Sequence, residues 1–267
     1  MNKIGFIGTG NMGSALASAA ARGLPGEEIM LANRTAAKAE QLAQKLGCRS
    51  ADDCSVAASA KYIVLAVKPQ MMAAMLGDVA PVLKVRDDRF VLVTIAAGLT
   101  MSRIQEMVGD EYPIIRVMPN TPCAIGSGVI LCCRNEKVSD KEYAEFKAIM
   151  AGAGTLIDLA ENLIDAGSAL SGCGPAFVYT FMEAMADAGV ACGLTRADAQ
   201  KLAAATVMGS ADMAIHSGKH TAELRDNVCS PGGSTIAGVL SLENDGFRAA
   251  VANCVLAAFE KTKELGK

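Results

Sequence analysis

The spacing of hydrophobic and polar positions changes once along this chain. Up to about residue 160, short apolar runs rich in β-branched residues alternate with longer stretches whose apolar residues recur every three or four positions. Ile4–Ile7, Ile29–Ala32, Tyr62–Val67, Phe90–Ile95, Ile114–Met118, Val129–Cys133 and Thr155–Leu159 predict strands. Asn11–Arg22, Ala36–Leu46, Met71–Leu83, Met101–Val108 and Asp140–Met150 predict helices between them. Alternation of this kind implies an α/β unit with a doubly wound, mostly parallel sheet over residues 1–160.

From Glu161 onward the strand pattern stops. Pro175–Cys192, Arg196–His216 and Phe247–Leu265 predict helices rich in Ala, Met and Val. Pro175 suits a helix first turn, Gly193 a helix end, and Thr195 the cap of the next helix. These helices are apolar on more than one face, as Met182, Met185, Ala186, Ala188 and Val190 illustrate. A small all-α unit over residues 161–267 cannot bury such surface alone, so it should pack against a second copy of itself.

Composition narrows the function classes. The 267 residues are 51% hydrophobic and 20% charged, which suits a chain with a substantial core. Lys plus Arg is 25 and Asp plus Glu is 28, a net charge of −3, so no nucleic-acid partner and no membrane-surface partner is expected. Apolar runs are too short for a membrane span. Met1-Asn2-Lys3 leads straight into the first strand, so no signal or transit peptide is expected, and the location should be cytoplasmic. Nine cysteines without a CxxC pair fit reduced thiols, and no metal site is expected. Cys132 and Cys133 should point to opposite faces of a strand.

The first chemical motif is Gly8-Thr9-Gly10-Asn11-Met12-Gly13, a G-x-G-x-x-G between the first strand and the first helix. Gly8 permits a tight turn, Gly10 lets a diphosphate approach the backbone, and Gly13 allows close helix–strand contact. Free N–H groups and the helix dipole would hold that diphosphate. Where NAD-binding folds usually carry an acid for the ribose, this chain has Asn33-Arg34-Thr35. Arg34 would attract a 2′-phosphate and Asn33 and Thr35 could donate to it, so NADPH is expected, with NADH still open. The competing reading is that Thr35 only caps the next helix and Arg34 is solvated.

Further candidates sit where strands should end. Ala66-Val67-Lys68-Pro69, Ala96-Ala97-Gly98 and Met118-Pro119-Asn120-Thr121-Pro122 could wall a flat nicotinamide ring, with Lys68 adding positive charge or remaining a solvated loop lysine. In the helical half, Asn227-Val228-Cys229-Ser230-Pro231-Gly232-Gly233-Ser234-Thr235 runs a Pro-Gly-Gly turn into an apolar helix. Bare N–H groups and hydroxyls at such a start could hold a small carboxylate, or the segment could be an ordinary capped helix. His216 and His220 suit capping or the surface.

These blocks, together with Arg116-Val117, Ser171-Gly172-Cys173-Gly174-Pro175-Ala176 and Asp226–Thr235 followed by Glu243 and Gly246-Phe247-Arg248, resemble pyrroline-5-carboxylate reductases in the same order over essentially the whole chain. The resemblance implies a Rossmann domain and a helical dimerisation domain with interlocked subunits. Larger rings of dimers, such as a decamer, would be built from it. It implies hydride transfer from NAD(P)H to the cyclic imine 1-pyrroline-5-carboxylate, giving L-proline. It implies that Ser230, Gly232, Gly233, Ser234 and Thr235 line the substrate pocket, with Thr235 at the ring nitrogen. Cys173, Cys229 and Asp53 depart from that family. Ser often stands at the first, Ser or Thr at the second, and Asn, able to touch the adenosine ribose, near the third.

The chemistry agrees with an imine. Reduction of a C=O bond needs a proton donor, and no lysine occurs between Lys147 and Lys201, where related hydroxyacid dehydrogenases carry theirs. An imine nitrogen can carry its own proton, so positioning matters more than acid–base power. The alternatives are a β-hydroxyacid dehydrogenase, a reductase of another cyclic imino acid, and a non-catalytic NADP(H)-binding protein.

Overall fold

Strands buried on both faces read as unbroken apolar runs, and that is how the first half of the chain is built. In the computed structural model, which describes residues 2–109 and 111–265, β1 (Asn2–Ile7), α1 (Asn11–Ala20), β2 (Ile29–Ala32), α2 (Ala36–Leu46), β3 (Arg49–Ser50), α3 (Asp53–Ser59), β4 (Ala60–Leu65) and α4 (Pro69–Lys84) come first. They are followed by β5 (Val91–Thr94), α5 (Met101–Val108), β6 (Ile114–Pro119), β7 (Gly128–Arg134), α6 (Asp140–Met150) and β8 (Gly154–Asp158). Eight strands form one sheet in the order β3-β2-β1-β4-β5-β6-β7-β8. Every pairing is parallel except β6 with β7, where a short 3₁₀ turn at Thr121–Ile125 reverses the chain.

Two apolar layers cover the sheet. On one face α1, α2 and α6 bring Leu16, Ala43 and Phe146 against Ile4, Phe6 and Val93. On the other, α3, α4 and α5 bring Val56, Leu76 and Ile104 against Ile63, Leu65 and Leu92. Cys132 joins the first layer and its neighbour Cys133 the second, as the strand period requires. Burial pushes both thiols up, to about 12 and about 11 respectively.

The strand order fixes where a ligand can enter. The chain runs outward from β1 through β2 and β3, then returns to place β4 on the opposite side of β1. The connections after β1 and β4 diverge there, opening a crevice at the carboxyl ends of the strands.

Four of the strands and α-helices are absent from the sequence reading: β3, α3, the one-turn helix at Ile164–Gly167 and the helix at Thr221–Asn227. The first helix also ends at Ala20 rather than Arg22. Arg22 instead donates to the carbonyls of Cys123, Ala124 and Gly152, tying the end of α1 to two turns.

Residue character changes at Glu161, but packing changes at Gly174. The two compact units are Met1–Cys173 with Ala258–Lys267, and Gly174–Ala257. Residues 161–173, including α7 (Ile164–Gly167) and a π-turn at Ser168–Gly172, lie on the sheet. Ile164 enters the second apolar layer, and Arg116, only 1% exposed, reaches Asp165 at 2.8 Å and Glu161 at 3.4 Å.

The second unit holds α8 (Gly174–Ala191), α9 (Arg196–His216), α10 (Thr221–Asn227), α11 (Ser234–Asn244) and most of α12 (Phe247–Leu265). Gly193 takes φ +101 between α8 and α9, and Thr195 caps α9 by accepting from Asp198 N–H. His220 caps α10. The buried cluster of this unit is Ala186, Ala199 and Ala203, while Met208, Ile215 and Val228 stay 71%, 74% and 63% exposed.

One carboxylate in the sheet unit generates a pH prediction. Glu142 closes a capping box with Ser139 at the start of α6 and takes two bonds from Arg89. The Arg89 guanidinium, with Ser139, lowers Glu142 to about 2. A carboxylate depressed in the folded state stabilises fully above its unfolded value and loses that contribution as pH falls toward 2. Glu142→Gln should therefore cost about 2 kcal/mol at pH 7 in urea denaturation, and the gap to wild type should close between about pH 4.5 and 2. A gap independent of pH would show that the charge is irrelevant.

Candidate dinucleotide cradle and anion-binding turn

The glycine loop is shaped by three different constraints. Gly8 takes φ +107, and a Cβ there would stand 2.5 Å from the Ala66 carbonyl oxygen. A Cβ on Gly13 would stand 2.1 Å from the Gly8 carbonyl oxygen. At Gly10 a Cβ would meet no protein atom within 4 Å. Gly8 and Gly13 are thus required by the protein's own packing, whereas the space beside Gly10 is open. Gly10 is the N-cap of α1 and no side chain caps that helix, so its first amides are free to receive an anion. A dinucleotide diphosphate fits a cradle of this form.

Asn33 buttresses the loop. Its Oδ1 accepts from Thr9 N–H at 3.1 Å and its Nδ2 donates to the Thr35 carbonyl. Gly8 N–H meanwhile donates to the Ala32 carbonyl at 2.9 Å. One of the two amide hydrogens of Asn33 is therefore already committed. Thr35 is the N-cap of α2, but its side chain makes no capping bond.

Arg34 is exposed and without an ion-pair partner among the described residues. It lines an open cleft of about 830 Å³ together with Asn33, Glu40, Asp52, Asp53 and Asp78. Asp52 caps α3 by accepting from Ser55 N–H at 2.7 Å, and this bond holds its carboxyl below the usual range. Burial, and then the charges of Asp52 and Asp78, push the Asp53 carboxyl up. Of the acids in the cleft, Asp52 and Asp53 come from the start of α3, an element that has no clear periodic signal in the sequence, while Glu40 comes from α2 and Asp78 from α4.

The other strand-end candidates lie at the carboxyl ends of neighbouring parallel strands. Ala66 and Val67 follow β4, Lys68 is the exposed N-cap of α4, and Pro69 is its first residue. Ala97 is exposed after β5, beside Gly98 at φ +75. Asn120 follows β6 and is buried. Its Oδ1 accepts from Val129 N–H at 2.9 Å and its Nδ2 donates to the Ser171 carbonyl at 3.0 Å. Asn120 thus fixes the turn after β6 and tethers the π-turn at 168–172. Nothing in the sequence pattern marks this tertiary task.

In the second unit, Ser230–Gly233 form a tight turn. Gly233 N–H donates to the Ser230 carbonyl at 3.0 Å, and Gly232 takes φ +70. Pro231 followed by a glycine at positive φ matches a type II turn. Gly233 is the N-cap of α11 and supplies no side chain, so the first amides of α11 are bare. The hydroxyls of Ser230, Ser234 and Thr235 have no hydrogen-bond partner among the described residues, and all three residues are exposed. Cys229 is half-buried beside them. The corner after α11 is closed by a two-point contact between Arg248 and Glu243.

Among the described residues no group of three or more His, Cys, Asp or Glu is placed to hold a metal ion. No helix there is long and apolar enough to cross a membrane.

Comparison with known proteins gives concordant results. A family model described as pyrroline-5-carboxylate reductase dimerisation matches residues 161–265, and one described as coenzyme F420-dependent NADP oxidoreductase matches residues 3–98. The pyrroline-5-carboxylate reductase of Synechocystis is 39% identical over 99% of this chain and 98% of its own length. That of Escherichia coli K12 is 40% identical with the same coverage. The crystal structure of Plasmodium falciparum pyrroline carboxylate reductase with NADP bound superposes with a TM-score of 0.89 at 36% identity, covering 99% of this chain and 98% of that one. A pyrroline-5-carboxylate reductase from Coxiella burnetii gives 0.91 at 32% identity, covering 100% and 99%.

The three glycines separate folding from binding. Gly10→Ala should leave the thermal midpoint within a few degrees of wild type, because the added methyl has open space, yet weaken NADPH binding at least about tenfold by obstructing the approach of the diphosphate. Gly13→Ala should lower the midpoint sharply, because the methyl meets backbone. Calorimetric titration and melting curves measure both, and unchanged NADPH affinity in Gly10→Ala would refute the cradle.

Proposed function

The chain belongs to the pyrroline-5-carboxylate reductase family, and we propose that it reduces the cyclic imine 1-pyrroline-5-carboxylate to L-proline with NADPH. Bound NADPH supplies the hydride. Gly8, Gly10, Asn11, Met12 and Gly13 receive its diphosphate, and Arg34, with Asn33, receives the 2′-phosphate. Ala66, Val67, Lys68, Pro69, Ala97 and Asn120 wall the nicotinamide. Ser230, Gly232, Gly233 and Ser234 hold the substrate carboxylate, and Thr235 holds and orients the imine nitrogen. Residues 1–160 carry the cofactor, and residues 161–267 carry the substrate and the self-association surface.

The observation that best supports this reading is the uncapped start of α11. Bare amides and free hydroxyls are gathered at one turn with no side chain among the described residues to satisfy them. A small carboxylate meets that need without a lysine or arginine. An imine that already carries its proton needs no buried acid, and α8 contains neither Lys nor His. The hydroxyacid dehydrogenase alternative lacks its donor on the same ground.

The family model for residues 161–265 agrees with self-association, and the exposed apolar residues of α9, α11 and α12 suit a homodimer through the helical unit. Assembly of dimers into a decamer, a cytoplasmic location and the absence of a nucleic-acid partner complete the proposal.

NADPH oxidation by the purified protein should depend on 1-pyrroline-5-carboxylate and not on hydroxyacids tested with NADP⁺ in reverse. Thr235→Ala should lower kcat at least about tenfold while NADPH affinity stays within twofold, because the lost contact is to the substrate. Wild-type turnover in that variant would remove Thr235 from the chemistry.

A further inference from the structure

The turn that carries Ala97 is held weakly by its own bonds. β5 ends at Thr94, and α5 begins at Met101 with Thr100 as its N-cap. Between them Ala96 is buried, Ala97 is exposed and Gly98 takes φ +75. Ile95 N–H reaches the Leu65 carbonyl at 3.5 Å and Leu99 N–H the Ala96 carbonyl at 3.4 Å. Ala96 N–H reaches the Thr94 hydroxyl at 3.3 Å, and Arg103 N–H the Thr100 hydroxyl at 3.3 Å. Well-formed bonds of this type lie near about 2.9 Å, so none of the four fixes the turn firmly.

The short bond comes from a distance. Met101 N–H donates to Glu161 Oε1 at 2.7 Å, 60 residues further along the chain. Met101 is the first residue of α5 and is 7% exposed, so its amide is one that no carbonyl within the helix accepts and that water reaches poorly. The helix dipole favours a carboxylate at this end as well. A capping box would place one on the third residue of the helix, but that residue is Arg103. Glu161 supplies the carboxylate from another element.

Arg116 holds that carboxylate in place. It is 1% exposed and pairs with Thr94 across β5 and β6. Its guanidinium reaches the same Glu161 oxygen at 3.4 Å and Asp165 at 2.8 Å, while its buried Nε has no partner among the described residues. A buried cation is tolerated only beside its anions, which keeps Glu161 at its post under α5. All these residues belong to the sheet unit.

We propose that Glu161 is a positioning residue for hydride transfer: oriented by Arg116, it pins the start of α5 and so fixes the Ala96–Gly98 turn as the backing of the nicotinamide ring. Glu161 acts through the backbone of Met101 rather than through a contact of its own with the cofactor. The proposal rests on NADPH as cofactor and on Ala97 as part of the nicotinamide wall, but not on which imine is reduced. The diphosphate and adenosine groups are assigned to α1 and the end of β2, so they provide an internal reference.

Steady-state kinetics, calorimetric titration and the fluorescence of bound NADPH test this together. In Glu161→Ala, kcat should fall at least about tenfold, while the dissociation constant of 2′,5′-ADP, which lacks a nicotinamide, stays within about twofold of wild type. The fluorescence anisotropy of bound NADPH, measured without substrate, should fall, because the reduced ring moves more freely. Glu161→Gln keeps an oxygen for the Met101 N–H and should hold kcat within about threefold of wild type. Met101→Pro removes the same bond from the other side. Proline suits a first helical position, and Thr100, at φ −78 and ψ 163, already has the conformation that a residue before proline adopts. Compared with Met101→Ala, which keeps the N–H, Met101→Pro should reproduce the losses of kcat and anisotropy.

The proposal is overturned if kcat or anisotropy is unchanged in Glu161→Ala and in the Met101→Pro comparison. It is also overturned if 2′,5′-ADP affinity falls as far as kcat, which would make the bond a general stabiliser of the unit, or if Glu161→Gln is as slow as Glu161→Ala. If wild type reduces no imine but the anisotropy falls in the variants, the positioning role stands and the substrate assignment fails. If wild type binds no NADPH, the cofactor assignment fails and the proposal with it.

Discussion

The constraint beneath the rest of this structure is a backbone-to-backbone approach at the point where the sheet changes direction. β1 is flanked by β2 and β4, and the chain departs from it toward opposite sides. The turn after β1 must pass over the end of β4, which it does with Gly8 against the Ala66 carbonyl and Gly13 against the carbonyl of Gly8 itself. Those contacts leave no volume for a side chain. They also aim the free end of α1 into the crevice. The protein's own packing therefore demands glycine at 8 and 13, whereas it leaves the space beside Gly10 open.

Polar residues around that crevice serve the frame before they serve a ligand. Asn33 spends its carbonyl on the Thr9 amide, and Asn120 spends both ends of its side chain on Val129 and Ser171. Buried Arg116, on β6 three residues before Pro119, holds Glu161 and Asp165 on the connector that leads to α8. Glu161 in turn accepts from Met101 N–H at the start of α5. Strand ends that wall a cofactor are loops, and loops are held by side-chain bonds rather than by ladder bonds. Rigidity at the crevice is thus supplied by side-chain amides and a guanidinium that bond to the protein's own backbone and carboxylates.

The frame was legible where it depends on local pattern and illegible where it depends on tertiary bonds. Seven strands, the five long helices of the first half and the three long helices of the second follow from periodicity, and the opposed faces of Cys132 and Cys133 follow from the strand period alone. β3 has two residues, and α3 reads Asp-Cys-Ser-Val-Ala-Ala-Ser over seven, too short to establish a period. α10 is mostly polar, so nothing in its apolar pattern announces it. The glycine loop was legible because its geometry is set by adjacent residues. The acidic wall of the cleft beside Arg34 was not, because α2, α3 and α4 bring its carboxylates together only after folding. Asn33 reads as a donor to a 2′-phosphate and Asn120 as part of a nicotinamide wall; a sequence shows that an amide is present, not which backbone group it also satisfies.

The helical unit poses the complementary problem. Its buried cluster is three alanines, and its large apolar side chains lie on the outside. Such a unit gains little from folding on itself, since most of the apolar surface it could remove from water remains in contact with it. Its helices carry good local signals: a left-handed glycine at 193, side-chain caps at Thr195 and His220, and a tight turn at 230–233. Local signals specify where helices begin and end but contribute only about 1 kcal/mol each. The stabilisation that keeps the unit ordered must come from covering α9, α11 and α12. The turn at 230–235 lies within this same unit, between α10 and α11. The order of that turn is thereby tied to whatever covers these helices, because the helices that frame it have too little core of their own to hold it still.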